Sequence, residues 1–300
     1  MPTNHDFLFR LAELMLEKEQ HILPVDGLYD DEQIGEHVKT IQIDSPYHQM
    51  LLEGVLTEVV QHEQLCVSFT MEGYFHYVLG EVIHQRTQGA ETLKQIAEHN
   101  TLKGVRKGIE QCLIRDVQLH NLSRLLWLID ESGSLLDVCA VPLAYAFVNV
   151  KGKVKTEQER DKAYAIHVKQ VLMELLAEPT DNDIKVLSQT IRYLEEVQRN
   201  RLVALLYRQI HEGIEPDTVG KTELYVASIK HIPKSERTKA LQRVISSAAK
   251  MLQTGKGDAL DGVYFSLGAQ YSFIGDYDKA LEYYEKSLAI RLKVHGDQHP

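Results

Sequence analysis

Across most of this chain the apolar residues recur three and four positions apart, a spacing that fits one face of an α-helix and does not fit a strand. Leu119, Leu122, Leu126 and Ile129 form one such stripe, with Trp127, the only tryptophan, beside it. Tyr164, Val168, Val171, Leu172 and Leu175 form a second, and Ile184, Leu187, Ile191, Leu194 and Val197 a third. Polar or glycine-bearing joints separate them at residues 131–134, 152–155, 178–183 and 213–220. Helices joined this briefly pack as antiparallel pairs, in a bundle or a solenoid. The apolar stretch Ala140–Val150 (AVPLAYAFVNV) fits a buried helix or a strand, and is read as helix.

The first 86 residues form a mixed unit. A helix over residues 5–19 puts Phe7, Leu8, Leu11 and Met15 on one face. Beyond Pro24 and Gly27 a short helix covers residues 31–38. Another begins at Ser45-Pro46, because proline's missing N–H has no helical partner in a first turn anyway. Residues 58–60 and 65–69 pair as a hairpin across 61–64, the second arm alternating Leu65, Val67 and Phe69 with Cys66, Ser68 and Thr70. A helix with Tyr74, Val78 and Val82 on one face closes the unit. That order of elements is the order of a winged helix.

Charge narrows the range of partners. The formal net charge is −10, and residues 1–70 hold thirteen Asp and Glu against Arg10, Lys18 and Lys39. Nucleic-acid binding draws most of its affinity from cations that neutralise phosphates. So acidic a segment repels a duplex, and no nucleic-acid partner is expected. No apolar run reaches the roughly eighteen residues a membrane span needs, and the first twenty residues lack a secretory pattern. Cys66, Cys112 and Cys139 lie far apart with no metal-ligand spacing. These features suit a cytoplasmic protein with no membrane partner.

The carboxyl end carries the most specific pattern. Residues 261–300 read DGVYFSLGAQYSFIGDYDKALEYYEKSLAIRLKVHGDQHP. Gly268 and Ala280 are small where two helices must approach, and Tyr264, Tyr271 and Tyr284 fill the space beside them. Gly275 suits the positive φ of a tight helix-to-helix turn. The segment resembles a tetratricopeptide repeat of the longer kind found in kinesin light chains and many bacterial signalling proteins. Leu267-Gly268 with Tyr271 matches that family's Leu-Gly…Tyr core, Tyr264 takes the place of its common Trp, and Gly296…His299-Pro300 matches its Gly-x-x-His-Pro loop. Ala280, Tyr284 and Ser287 stand where its second helix packs back on the first.

Residues 222–253 are read as a degenerate repeat. Ala240, Leu241, Val244 and Ser247 lie forty residues before Ala280, Leu281, Tyr284 and Ser287, and Leu224, Ala227, Ser228 and His231 form the preceding helix. The resemblance implies that each first helix lines a concave groove, here with Phe265, Ala269 and Ser272. The Lys and Asn residues of the family's carboxylate clamp are absent from those places. It also implies an array longer than this chain.

Motifs for chemistry fall short of their requirements. Val219-Gly220-Lys221-Thr222 ends like a phosphate-binding loop, but Glu215 stands where its first glycine belongs. His62-Glu63 and His211-Glu212 begin like zinc-protease helices, with Cys66 and Glu215 in place of the second His. His295 and His299 are four apart, yet the repeat's loop accounts for His299. No catalytic, cofactor or metal residue is assigned, and no enzyme is expected.

Residues 51–82 are similar to the winged helix that follows the nucleotide-binding module in STAND-class signalling ATPases, the NACHT and related proteins. That resemblance implies an order of ATPase, winged helix, helical domain and sensor repeats, of which this chain holds the last three. The expected fold is mainly α. It has a winged-helix-like unit with one β-hairpin at 1–86, a helical domain at 87–215, and tetratricopeptide-like repeats at 216–300, degenerate over 222–253 and clear over 261–300. The expected function is a protein–protein interaction scaffold, the sensor part of a STAND-like regulator that binds a protein or peptide ligand and an ATPase module. The alternative is a stand-alone tetratricopeptide adaptor or chaperone-like protein.

Overall fold

In the computed structural model, which describes residues 3–40, 42–149, 157–177, 179–254 and 257–295, the chain opens on a fully capped helix. The Thr3 hydroxyl accepts from Asp6 N–H while the Asp6 carboxylate accepts from Thr3 N–H, starting α1 (Asn4–Lys18). Phe7, Leu8, Leu11 and Met15 are buried on its inner face. A two-residue strand, β1 (Leu23–Pro24), precedes the short helices α2 (Gly35–Lys39) and α3 (Pro46–Leu52). Ser45 caps α3 and Pro46 occupies its first turn, as the sequence predicts.

The hairpin is tighter than expected. Strands β2 (Leu56–Gln61) and β3 (Gln64–Phe69) pair antiparallel, leaving only His62 and Glu63 in the turn, both with positive φ. β1 pairs with the other edge of β3, giving the order β1-β3-β2. This third strand is too short to show an alternating pattern in sequence. The expected alternation along β3 survives only in part. Cys66 and Val67 are both buried, whereas Leu65, cross-strand from the exposed Val60, sits beside the turn at the hairpin tip and stays exposed.

Helix α4 (Glu72–Arg86) buries Phe75, Val78, Leu79, Val82 and Ile83. The predicted face is thus corrected at one position. Phe75, not Tyr74, turns inward, its ring centroid 5.3 Å from that of Phe69, and Tyr74 lies outside against Tyr77. Helices α5 (Ala90–His99), α6 (Val105–Gln118), α7 (Ser123–Glu131) and α8 (Leu136–Val148) complete the first compact unit, Met1–Asn149. The stretch from Ala140 is helical. The stripe expected through Leu119, Leu122, Leu126 and Ile129 is broken, because α6 ends before a left-handed His120 and a new helix starts at Ser123. The buried face of α7 is Leu125, Leu128 and Ile129, and Leu119 is exposed.

Two glycines set how closely α4 and α6 cross. A Cβ on Gly80 would lie 2.5 Å from Gln111 Cβ and 3.0 Å from the Gly108 carbonyl oxygen, while one on Gly108 would meet Leu79 at 2.8 Å. This crossing joins residues on both sides of position 86 within one compact unit, Met1–Asn149. Arg124 on α7 is buried against α6, donating to both Asp116 carboxylate oxygens at 2.7 and 2.5 Å and to the Thr87 carbonyl at 3.0 Å.

Among its described residues the second unit, Val150–Pro300, has helices as its only regular elements. It comprises α9 (Glu157–Leu175), α10 (Asp181–Glu196), α11 (Asn200–Gly213), α12 (Val219–Ser228), α13 (Lys234–Gln253), α14 (Asp261–Ile274) and α15 (Tyr277–His295). Val168, Val171, Leu172 and Leu175 are buried on α9, and Ile184, Leu187, Ile191 and Leu194 on α10. Val197, at the end of α10, is exposed. The Tyr164 side chain, the joint at 152–155 and the loop at 296–300 lie outside the described residues. With about 74% helix and one small antiparallel sheet the protein is mainly α. Among the described residues no single helix is long and apolar enough to cross a membrane.

Gly80→Val tests the first crossing. Replacing glycine inside a helix gains at most about 1 kcal/mol of propensity, whereas overpacking costs about 1–3 kcal/mol. Net destabilisation in urea unfolding is expected, and a raised midpoint would contradict the crossing.

Candidate functional site

The terminal hairpin is built on a missing side chain. Gly275 ends α14 in the left-handed conformation, φ 86°, and its N–H bonds back to the Ser272 carbonyl, so the chain reverses into α15 within two residues. Midway along, a Cβ on Gly268 would lie 2.7 Å from the Tyr284 ring. Glycine therefore lets that ring rest on the α14 backbone. Leu267, Tyr264 and Tyr271 are buried on α14, and Ala280 and Ser287 on α15.

Tyr283 was not singled out in the sequence, yet it is buried and stacks between two of the tyrosines that were. Its ring lies 6.0 Å from Tyr264 and 5.4 Å from Tyr271, nearly parallel to the latter. Burial raises all three phenols, Tyr283 to about 12, so the stack is uncharged near neutrality. The available signal was spacing. Tyr283 falls three residues after Ala280 and four before Ser287, on the same helical face.

One side of this hairpin is covered and the other is open. Val263, Leu267 and Tyr264 join a core with Tyr225, Val226, Leu241 and Val244 of α12 and α13. On the open side Phe265 and Ala269 are exposed and Ser272 is half-buried. The Phe265 ring lies 5.4 Å from Tyr284, which joins the α14 stripe to a second one along α15. That second stripe was not recognised in the sequence, although Tyr277, Leu281, Tyr284, Leu288 and Leu292 follow each other at helical spacing. Phe265 is 50% exposed, Tyr277 71%, Leu281 60%, Leu288 56% and Leu292 46%.

The segment read as a degenerate repeat packs differently. Ser228, forty residues before Gly268, is buried, donates to the Tyr225 carbonyl at 2.5 Å and lies 3.2 Å from His211 Nδ1. It thereby ties α12 to α11. Leu224, Ala240, Leu241 and Val244 are buried, Ala227 and His231 are half-buried, and Ala248 is buried where Ser247 was expected.

The remaining motifs have structural roles. Gly220, Lys221 and Thr222 form the first turn of α12, where Lys221 pairs with Asp217 at 2.9 Å and the Thr222 hydroxyl donates to the Thr218 carbonyl at 2.6 Å. His62 and Glu63 are the hairpin turn rather than a helix. His84, Cys112 and Asp116 bring three possible ligand atoms within 4.8 Å of one another. The Arg124 guanidinium already occupies that space, 3.0 Å from His84 Nδ1 and bound to Asp116. Its charge opposes a cation, and burial pushes the Cys112 thiol up to about 12, so the group is a buried ion-pair network.

Two histidines in the second unit are held neutral. His231 stacks on Tyr207 at 4.4 Å, and His211 on Tyr225 at 4.5 Å. Burial, then the neighbouring Lys230, Arg208 and Arg237, lowers His231 to about 4. Burial and Arg243 lower His211 as well.

Two outcomes are expected. Gly268→Leu forces a side chain into the Tyr284 ring and costs about 1–3 kcal/mol, visible as a lowered melting midpoint; an unchanged curve would contradict the close approach. Between pH 6.5 and about 4 the unfolded chain binds a proton at His231 that the folded one does not, so stability falls as pH falls through that window. His231→Gln should make the dependence shallower in denaturant titrations at several pH values.

Comparison with known protein families, with curated proteins and with solved structures finds no match to this chain.

Proposed function

We propose that the chain is a protein–protein interaction scaffold, the sensor-side part of a STAND-like signalling regulator, whose terminal hairpin is a tetratricopeptide-type repeat. The observation that carries this is the open apolar face running from Phe265 and Ala269 to Tyr284 and Leu288. Exposed apolar patches of this extent mark interaction sites more often than solvent-facing surface. The ligand is a protein or peptide that presents an apolar surface, since the groove positions Phe265, Ala269 and Ser272 carry no cation to hold a terminal carboxylate. In this proposal the acidic amino-terminal unit contacts an ATPase module and restrains it, while the repeats respond to ligand.

Photocrosslinking tests the binding face. With benzoylphenylalanine in place of Ala269, irradiation in the native host is expected to give a discrete covalent protein adduct. The same group in place of Val60, exposed on the β-hairpin, is expected to give none. Equal labelling at both positions, or no adduct at 269, would refute the proposal. An in-frame nucleotide-binding module encoded upstream supports the STAND context, and its absence favours a stand-alone adaptor.

A further inference from the structure

We infer that the occupant of this face is a second copy of the chain, joined about a two-fold axis through the open sides of the two terminal hairpins. The inference rests on the interaction-scaffold proposal and names its partner. Charge is the first argument. Each of the hairpin's own cations placed over one of its tyrosines or phenylalanines is paired with a nearby acid, while Arg237 of α13, over Phe273, donates to the Ile232 and Lys230 carbonyls. Lys279 bonds to Asp276 at 2.8 Å, Lys286 to Glu282 at 2.5 Å, and Arg291 to Asp261 at 3.1 Å. Residues 261–295 carry five Asp and Glu against four Lys and Arg, in a chain whose net charge is −10. The hairpin's own charges therefore leave only a weak field to select a charged foreign ligand. They also impose little like-charge repulsion on a second copy, a condition every isologous contact must meet.

Area is the second argument. With side chains of about 150–250 Å², the exposed fractions of Phe265, Tyr277, Leu281, Leu288 and Leu292 leave about 500 Å² of apolar surface per copy. Two copies then bury up to about 1,000 Å², the lower limit for a specific interface. Shape is consistent with this pairing. The same face holds bulky groups, Phe265, Tyr284 and Leu288, and two small residues, Ala269 and Ser272. Antiparallel apposition sets the rings of one copy toward the small residues of the other, as ridges meet grooves between helices.

Sedimentation of the whole 300-residue chain across the micromolar range is the test. The expected mass is twice the monomer's 34.2 kDa. Leu288→Glu, which alters an exposed residue of the single chain, is expected to weaken self-association about 100-fold or more by burying an unpaired carboxylate in the pair. Val60→Glu, exposed on the other unit, is expected to leave it unchanged. A wild-type chain that stays monomeric overturns the inference, as does a dimer indifferent to Leu288→Glu. Circular dichroism and melting of the same samples separate the failures. A folded monomer removes the second copy and leaves the hairpin available to another occupant, whereas an unfolded terminal hairpin refutes the scaffold proposal itself.

Discussion

Close helix pairing, which depends on an absent side chain, is the constraint from which the rest of this structure follows. Helices with ordinary side chains pack with axes about 8–10 Å apart, and only a glycine lets a neighbour's ring or backbone come nearer. Gly80 and Gly108 do this in the first unit, with Leu79 and Ile83 lying over Gly108. Once α4 and α6 are that close, Asp116 falls within reach of His84, and Arg124 from α7 bonds to both. A buried guanidinium without its carboxylate is costly, by about 3–5 kcal/mol when one partner is removed. The ion-pair network thus depends on the glycine crossing as much as on its own residues. In the second unit Gly268 has the same part, because the Tyr284 ring that rests on it is also the ring that meets Phe265.

What was legible in the sequence was local. Helical spacing located α1, α9 and α10 with their inner faces, Ser45-Pro46 gave the start of α3, and alternation gave the hairpin. The misses occur where long-range contacts decide. Phe75 takes the inner face in place of Tyr74: both rings lie near Phe69, at 5.3 and 6.3 Å, but only Phe75 is buried. The stripe from Leu119 failed because a helix ends there, and His120 carries no glycine or proline to announce it. The first unit's limit at Asn149 follows from contacts between α4, α6 and α8, which no periodicity contains. Phe265, Ala269 and Ser272, expected in a groove from the repeat pattern, are exposed or half-buried. The α15 stripe looked like ordinary packing, since apolar spacing does not say which of two apolar faces is covered.

Buried polar groups were the least visible. Fourteen histidines scattered through the chain suggested no design. Two of them lie face to face with tyrosines contributed by neighbouring elements, His231 with Tyr207 and His211 with Tyr225. Cations stand over both tyrosine rings, Lys230 at 5.6 Å and Arg243 at 5.5 Å. A ring face attracts a cation through its quadrupole, and that same positive charge disfavours a proton on the adjacent imidazole. The stacks are thus consistent with their surroundings only while the histidines are neutral.

Charge and apolar surface are segregated along this chain, and the segregation bears on recognition. Excess acid is confined to residues 1–70, whereas the terminal hairpin neutralises its cations internally. Electrostatic complementarity mainly accelerates encounter and rejects wrong partners. A face with a weak net field gains little from either, so in the proposed contact selectivity comes from how well a surface fits between Phe265 and Leu288. In such a contact the small residue decides more than the large ones. Exposed rings accept many apolar surfaces, whereas Ala269, lacking a γ-carbon, lets another surface come closer to the α14 backbone. A larger side chain at position 269 would alter that face without disturbing the tyrosine stack, because Tyr264, Tyr271 and Tyr283 are buried away from it.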